Sequence, residues 1–283
     1  MFNLEKIDNI IKLSLVSDSY SLGSHWVYDE EQLKNLPIDW NELNAPQALW
    51  HKGKNAGDFT HIGDQAYWLY QFLQDKKRFD SQEYLAFWKE KMKTYKGYID
   101  GATRDTLKNI EQGKMSGSNS HDFSVIGRIP SLLLVSTDED SFFNNVQAFV
   151  KLSHDNNKVL EVAHFFAKLL LHVKQSEDIA ETMNRLSLDY SKYIQGAVQE
   201  GLSSQEKETF EVIREFGPAC DVDEGFRGII HLLVKYTDDL KELLVQNAKA
   251  GGDTSSRAMI ATYILIARDT KNNLPKSWFN LNI

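Results

Sequence analysis

Two segments of this chain place aspartate and hydroxyl side chains at the head of an apolar run. In 57-GDFTHIGDQAYWLYQFL-73 a polar, glycine-bearing loop leads into an amphipathic stretch, with Thr60 and Asp64 near its start. In 251-GGDTSSRAMIATYILIA-267, Asp253, Thr254, Ser255 and Ser256 open a more apolar run. Gly251 and Gly252 before it let the backbone approach a ligand closely. Carboxylate and hydroxyl oxygens are the donors that a hard divalent cation takes. The same residue types also cap helices, accepting backbone N–H groups at the positive end of the dipole. Taken alone, each segment reads first as a cap. Two such helix starts facing one another across a cleft make an oxygen-ligand site, and that convergence of Asp64 with Asp253 is the expectation carried forward.

Two further segments belong with them. In 17-SDSYSLGSHWVYDEEQL-33, Asp18 and His25 flank a glycine stop, and Trp26 and Tyr28 read first as core aromatics. The stretch 113-GKMSGSNSHDFSVIGRIP-130 is rich in glycine and serine, with Lys114 and Arg128 near its ends. It lacks the residue order of a P-loop, but its small residues suit a loop folded around a polar ligand. The histidines are expected to form no metal cluster. His164 and His172 stand eight apart on one helix face, too far for one ion, and HExxH is absent. No serine sits in a GxSxG elbow, so a hydrolytic triad is not assigned.

The elements that must position these residues read as helices. Leu4, Ile7, Ile11, Leu15 and Leu22 recur at helical steps before Gly23, and similar spacing marks 66–77, 100–113, 155–174, 222–236 and 237–252. Residues 24–65 and 113–127 read as longer functional loops. Ile129 to Val135 is the best strand candidate and reads equally as a buried helix. The expected architecture is a single all-α domain over 1–283.

With 25% charged and 42% hydrophobic residues the chain has the composition of a globular protein. Its formal charge of −8 argues against a general nucleic-acid binder, which needs an excess of Lys and Arg. The apolar runs, such as 159–173, carry charges and are too short to span a bilayer, and charges interrupt the N-terminal run, so neither membrane span nor signal peptide is expected. One cysteine, Cys220, forms no internal disulfide and fits a reducing, cytoplasmic setting.

In order, these segments resemble the ADP-ribosylglycohydrolase family over nearly the whole chain, and specifically its J-crystallin and selenoprotein J branch. The stretch 17-SDSYSLG-23 is similar to the family's first turn, with Asp18 at the aspartate. The stretch 25-HWVYD-29 is similar to the HWIYD of the J-crystallins. The family's TDDT motif falls on 62-IGDQ-65, leaving only Asp64 of its aspartates. The element 95-YKGYIDGATRDTLKNIEQG-113, the glycine-serine substrate loop at 117–130 and the Thr-His step, here 152-LSHDN-156, follow in order. The C-terminal GGDTDT falls on 251-GGDTSS-256, with Ser255 in place of the second aspartate, and a Pro275-to-Trp278 ending matches the family's.

The resemblance implies an all-α multi-helical orthogonal bundle and a hydrolase that cleaves a ribosyl glycosidic bond with magnesium. It implies Asp64 and Asp253 as catalytic residues. They would hold the metal together with Thr60, Thr254, Ser255 and Ser256. Asp18, His25, Gly117, Ser118, Asn119, Ser120 and His154 would face the substrate, an ADP-ribose-containing small molecule or an ADP-ribosylated protein. A magnesium pair needs several carboxylates against four positive charges. Gly63 and Ser255 each remove one, so a single weak ion, or none, is expected. The alternative is a non-catalytic, crystallin-like or ADP-ribose-binding protein that retains the fold.

Overall fold

Asn3 opens the first helix by accepting the Lys6 N–H at 2.8 Å. From there the computed structural model, which describes residues 2–114, 116–173 and 177–283, is helical. The α-helices in chain order are α1 (Leu4–Ser21), α2 (Glu30–Lys34), α3 (His61–Lys76), α4 (Ser81–Thr94), α5 (Gly101–Glu111), α6 (Glu139–Ser153) and α7 (Asn157–His172). They continue as α8 (Ile179–Ser187), α9 (Lys192–Ser203), α10 (Thr209–Phe216), α11 (Val222–Lys235), α12 (Leu240–Ala250) and α13 (Thr254–Ala267). Short 3₁₀ segments occupy Leu49–His51, Ser124–Leu134 and Lys276–Phe279. Among the described residues there is no strand, only isolated bridges at Ser118–His154 and Asp122–Asp221. Among the described residues no helix is long and apolar enough to cross a membrane.

Every residue of α13 is buried, which is why its sequence is apolar on all sides rather than striped. Its main partner is α1, and the contact is built on small hydroxyl residues. Ser14 donates to the Met259 carbonyl, Ser17 pairs with Thr262 at 2.7 Å, and Ser21 donates to the Thr254 carbonyl. Serines at steps of three and four let the backbones come close and satisfy their own polar atoms across the gap. The same stripe carries Asp18 inward to the head of α13.

The segment expected as a strand or buried helix, Ile129 to Val135, lies mostly in the 3₁₀ run Ser124–Leu134. Pro130 interrupts any α ladder there because it has no N–H to donate. Gly127 leaves room for Met259 of α13, whose Cβ would stand 3.2 Å from a side chain at that glycine. One buried cluster runs from Ile7 to Trp278, and a small second one joins Val27, Leu33 and Ala48 beside the site.

Candidate functional site

Asp18 is the hub of the site and is wholly buried. Thr60, not Asp64, is the N-cap of α3: its hydroxyl accepts the Ile62 N–H at 3.1 Å. That hydroxyl donates to Oδ1 of Asp18 at 2.6 Å, and the Thr60 N–H donates to Oδ2 at 2.8 Å. The Ser255 hydroxyl, from the first turn of α13, also donates to Oδ1. Burial raises the Asp18 carboxyl to about 6 against the opposing pull of these three bonds. Gly63 backs onto the same carboxylate, and a side chain there would overlap it. Asp18 thus fills the space in which a motif carboxylate at position 63 would stand.

Asp64 sits one turn into α3 and faces a different way. Its Oδ2 accepts the Lys54 ammonium at 2.6 Å and the Tyr95 hydroxyl at 2.5 Å. Burial raises its carboxyl, and Lys54 and Tyr95 oppose the rise. The residue lines an open cleft of about 880 Å³ between the 49–54 segment and the 95–99 loop. Lys52, Lys54 and Lys96 are among the residues that line that cleft, as are Trp50 and Tyr98.

Asp253 is the N-cap of α13, as its sequence reads, and accepts the Ser256 N–H at 3.2 Å. It is fully buried, and its Oδ1 lies 3.6 Å from Nδ1 of His25. Burial raises its carboxyl, with Arg257 opposing. Gly251 and Gly252 both take positive φ, 68° and 67°, a region that side chains rarely adopt. This shape lets the Gly252 N–H donate to Val27 while its carbonyl accepts from Trp26, clamping the 24–27 turn onto the head of α13. Thr254 donates to the Ser21 carbonyl at 3.2 Å, and Ser256 Oγ has no hydrogen-bond partner among the described residues. The partners of Asp64 and Asp253 therefore do not overlap: Lys54 and Tyr95 bond one, the Ser256 N–H bonds the other, and His25 stands 3.6 Å from it.

The expectation that the histidines form no cluster is corrected. His25, His51 and His61, all buried, each offer a ring nitrogen within 4.8 Å of the others. His51 Nε2 and His61 Nδ1 are 3.0 Å apart. Residues 25, 51 and 61 lie on three separate segments, so no local spacing announces them. His164 and His172 do lie apart from this group, pairing with Tyr190 and Glu139 respectively.

The loop of Gly117, Ser118, Asn119 and Ser120 is zipped onto the end of α6. Ser118 N–H donates to the Ser153 carbonyl at 3.0 Å, Asp155 N–H to the Ser118 carbonyl at 2.8 Å, and Asn156 reaches Asn119 Oδ1 at 3.1 Å. A side chain at Gly117 would meet the Lys151 and Ser153 backbone, so only glycine fits that approach. Ser120 Oγ accepts the Asp122 N–H. His154 is buried, held through Nδ1 by Ser153 Oγ at 2.9 Å, with Asp100 and Arg128 as its charged neighbours. None of these residues lines the lysine-rimmed cleft.

A magnesium pair does not fit this donor set. The Thr60 and Ser255 hydroxyls and the Thr60 N–H already direct their protons at Asp18. Asp64 holds an ammonium. Asp253 keeps an Oδ2 with no hydrogen-bond partner among the described residues, but it has no exposure to the cleft. Four positive charges need more anionic oxygen than this. Sequence reasoning missed Lys54, Tyr95, His51 and His61. Lys54 and His51 stand in the glycine-bearing loop 50-WHKGKNAGD-58, and that loop's basic residues were the available signal.

An all-helical fold that buries an aspartate–hydroxyl hub between the first and last long helices, beside a cation-rimmed cleft, defines the class. The chain belongs to the ADP-ribosylglycohydrolase family, whose model matches residues 5–281. It is similar to Crystallin J1A and Crystallin J1B of Tripedalia cystophora, each 22% identical, with 94% of this chain and 88% of each relative covered. A solved structure described as an ADP-ribosylglycohydrolase-related protein complex shares the fold at a TM-score of 0.60 and 16% identity, covering 97% of this chain and 92% of that one.

Proposed function

We propose that the chain binds an ADP-ribosyl group in the lysine-rimmed cleft, using side-chain ammonium groups where a magnesium-dependent relative uses metal. The observation that carries this reading is the Lys54 ammonium on Asp64, 2.6 Å from the one aspartate retained from the family's first metal motif. A diphosphate needs positive charge, and Lys52 and Lys96 line the cleft beside the Lys54–Asp64 pair, where Lys54 offsets the one carboxylate. Trp50 and Tyr98 offer flat faces to a base. The volume of about 880 Å³ suits a nucleotide-sized ligand. The partner is an ADP-ribose-containing small molecule or an ADP-ribosylated protein, met by a single-domain protein in the cytoplasm, where Cys220 stays reduced.

Cleavage of the ribosyl bond with one weakly held magnesium is the second reading. It is favoured by Asp64, a carboxylate that lines the cleft and could act as base toward a water. Calorimetry with ADP-ribose, run in EDTA and again in magnesium, separates the two, alongside an assay for release of ADP-ribose from a modified protein. Equal affinity in both buffers without turnover supports the binding reading. Magnesium-dependent release overturns it in favour of the second, and no binding in either buffer defeats both.

A further inference from the structure

We propose that His25, His51 and His61 form a binding site for a single transition-metal dication of the zinc, nickel or copper class, reached from the cleft on the His51 side. The three imidazoles come from the turn after α1, the 3₁₀ segment Leu49–His51 and the first residue of α3. Their ligand nitrogens all lie within 4.8 Å of one another. His51 Nε2 and His61 Nδ1 share a hydrogen bond of 3.0 Å, whose proton must shift to a ring's far nitrogen when a metal takes both lone pairs. Nitrogens bound tetrahedrally at zinc distances stand about 3.3 Å apart, so that edge is already near its bound length.

The environment also matches a nitrogen-ligand centre. On His25, Nε2 has no hydrogen-bond partner among the described residues, and Nδ1 lies 3.3 Å from the Ser255 nitrogen and 3.6 Å from the Asp253 carboxylate; ligation through Nε2 places the ring proton on Nδ1, toward Asp253. His61 turns its other nitrogen, Nε2, toward Asp100 at 3.6 Å. A carboxylate behind a ligand imidazole is the usual second partner that orients the ring toward a metal. Burial keeps all three rings neutral, with His51 lowered to about 3 and His61 to about 4, and neutral imidazole is the form that binds metal. Trp26, held at positive φ, lies against all three rings at 4.9 to 5.5 Å. Cationic neighbours oppose a dication: Lys54 near His51 and His61, Arg128 near His61 and Arg257 near His25. Asp100 and Asp253 face them from the other side. Nitrogen donors select borderline metals over magnesium, which prefers oxygen.

This site adjoins the cleft through His51 but does not rest on the ADP-ribosyl reading, and it is tested without any nucleotide. The full-length protein is stripped with EDTA, dialysed and titrated with zinc chloride in a calorimeter, then with cobalt(II) while visible absorption is followed. The expected result is one equivalent of zinc bound, tetrahedral cobalt bands, and no competition from millimolar magnesium. His51→Asn should weaken zinc by at least about 100-fold, and Asp100→Asn by about 10–100-fold. His121→Ala, in the more exposed His121–Asp221–Asp223 group, should leave zinc binding unchanged. X-ray absorption of the zinc-loaded wild type should show imidazole scattering, a readout that needs no variant to fold. Absence of stoichiometric binding, a purely oxygen shell, or loss in His121→Ala with retention in His51→Asn would each overturn the site and leave a water-filled cluster in its place.

Discussion

Lys54 sets its ammonium 2.6 Å from Oδ2 of Asp64, and the Tyr95 hydroxyl closes on the same oxygen. The pair is mostly buried, with side-chain exposures of 18% and 17%, so it is not a screened surface contact. A fixed cation at this point answers the carboxylate that a metal would otherwise have to answer. Lys54 comes from one wall of the cleft and Tyr95 from the other, so Asp64, on α3, is what joins the two.

Removing that cation gives the first prediction. Lys54→Met should lower ADP-ribose affinity in EDTA about 10- to 100-fold, the scale of one charge-assisted hydrogen bond at ~1.5–3 kcal/mol. The same variant leaves Asp64 without its counter-ion and should bind magnesium more tightly than the wild type. Calorimetry in the two buffers reads both effects. Unchanged affinity in Lys54→Met would remove the lysine from the site.

Gly63 gives the second. Its missing Cβ is occupied by the Asp18 carboxylate, which cannot withdraw without breaking its bonds to Thr60 and Ser255. Gly63→Ala should therefore destabilise the fold by about 2 kcal/mol or more in urea unfolding. In the double variant Asp18→Ser, Gly63→Ala the clash is relieved, so its cost should be less than the sum of the two single changes. Strict additivity would show that the two positions are not coupled.

Asp18 itself supplies a pH signature. Its carboxyl rises from 3.8 to about 6 in the fold, so between those values the native protein keeps a proton that the unfolded chain has lost. The stability this group contributes is full below about pH 4 and is lost as pH rises through about 6, on the order of 3 kcal/mol in total. Asp18→Asn should gain on the wild type by up to that amount between pH 4 and 7. Urea titrations of both proteins across the interval measure the difference, and parallel curves would show an unshifted Asp18.

The buried histidines act with the opposite sign. His51, His61 and His154 fall from 6.5 to about 3, 4 and 3, and His25 is lowered too, because burial disfavours the imidazolium. The unfolded chain takes up protons below 6.5 that these rings refuse, so their stabilisation is present above 6.5 and is lost as pH falls toward 3. A ring such as His61 accounts for about 3 kcal/mol across its window. The expected net result is acid unfolding well before the surface carboxylates are neutralised. NMR of the imidazole resonances provides the direct check: titration of these rings near 6.5 in the native state would refute it.

The helical periodicity of 4–23, 155–174 and 222–252 was readable because it is local: each helix records its buried face in its own spacing. The family was readable because its motifs keep their order along the chain, even with Gly63 and Ser255 substituted. The cap role of Asp253 also lay in its own neighbourhood. What the site does with those residues did not. Thr60 took the cap that Asp64 was expected to share, since capping depends on which residue has extended φ and ψ at the turn rather than on which is acidic. The serine stripe on α1 carried Asp18 into the space beside Gly63, and a loop lysine reached Asp64 from a segment ten residues away. His25, His51 and His61 met only when α1, the Leu49–His51 turn and α3 packed together. Side-chain chemistry can be read one segment at a time, but the partner that neutralises a charge or shares a proton is chosen by tertiary approach. Tertiary packing therefore decided that lysine, not a second carboxylate, stands at Asp64.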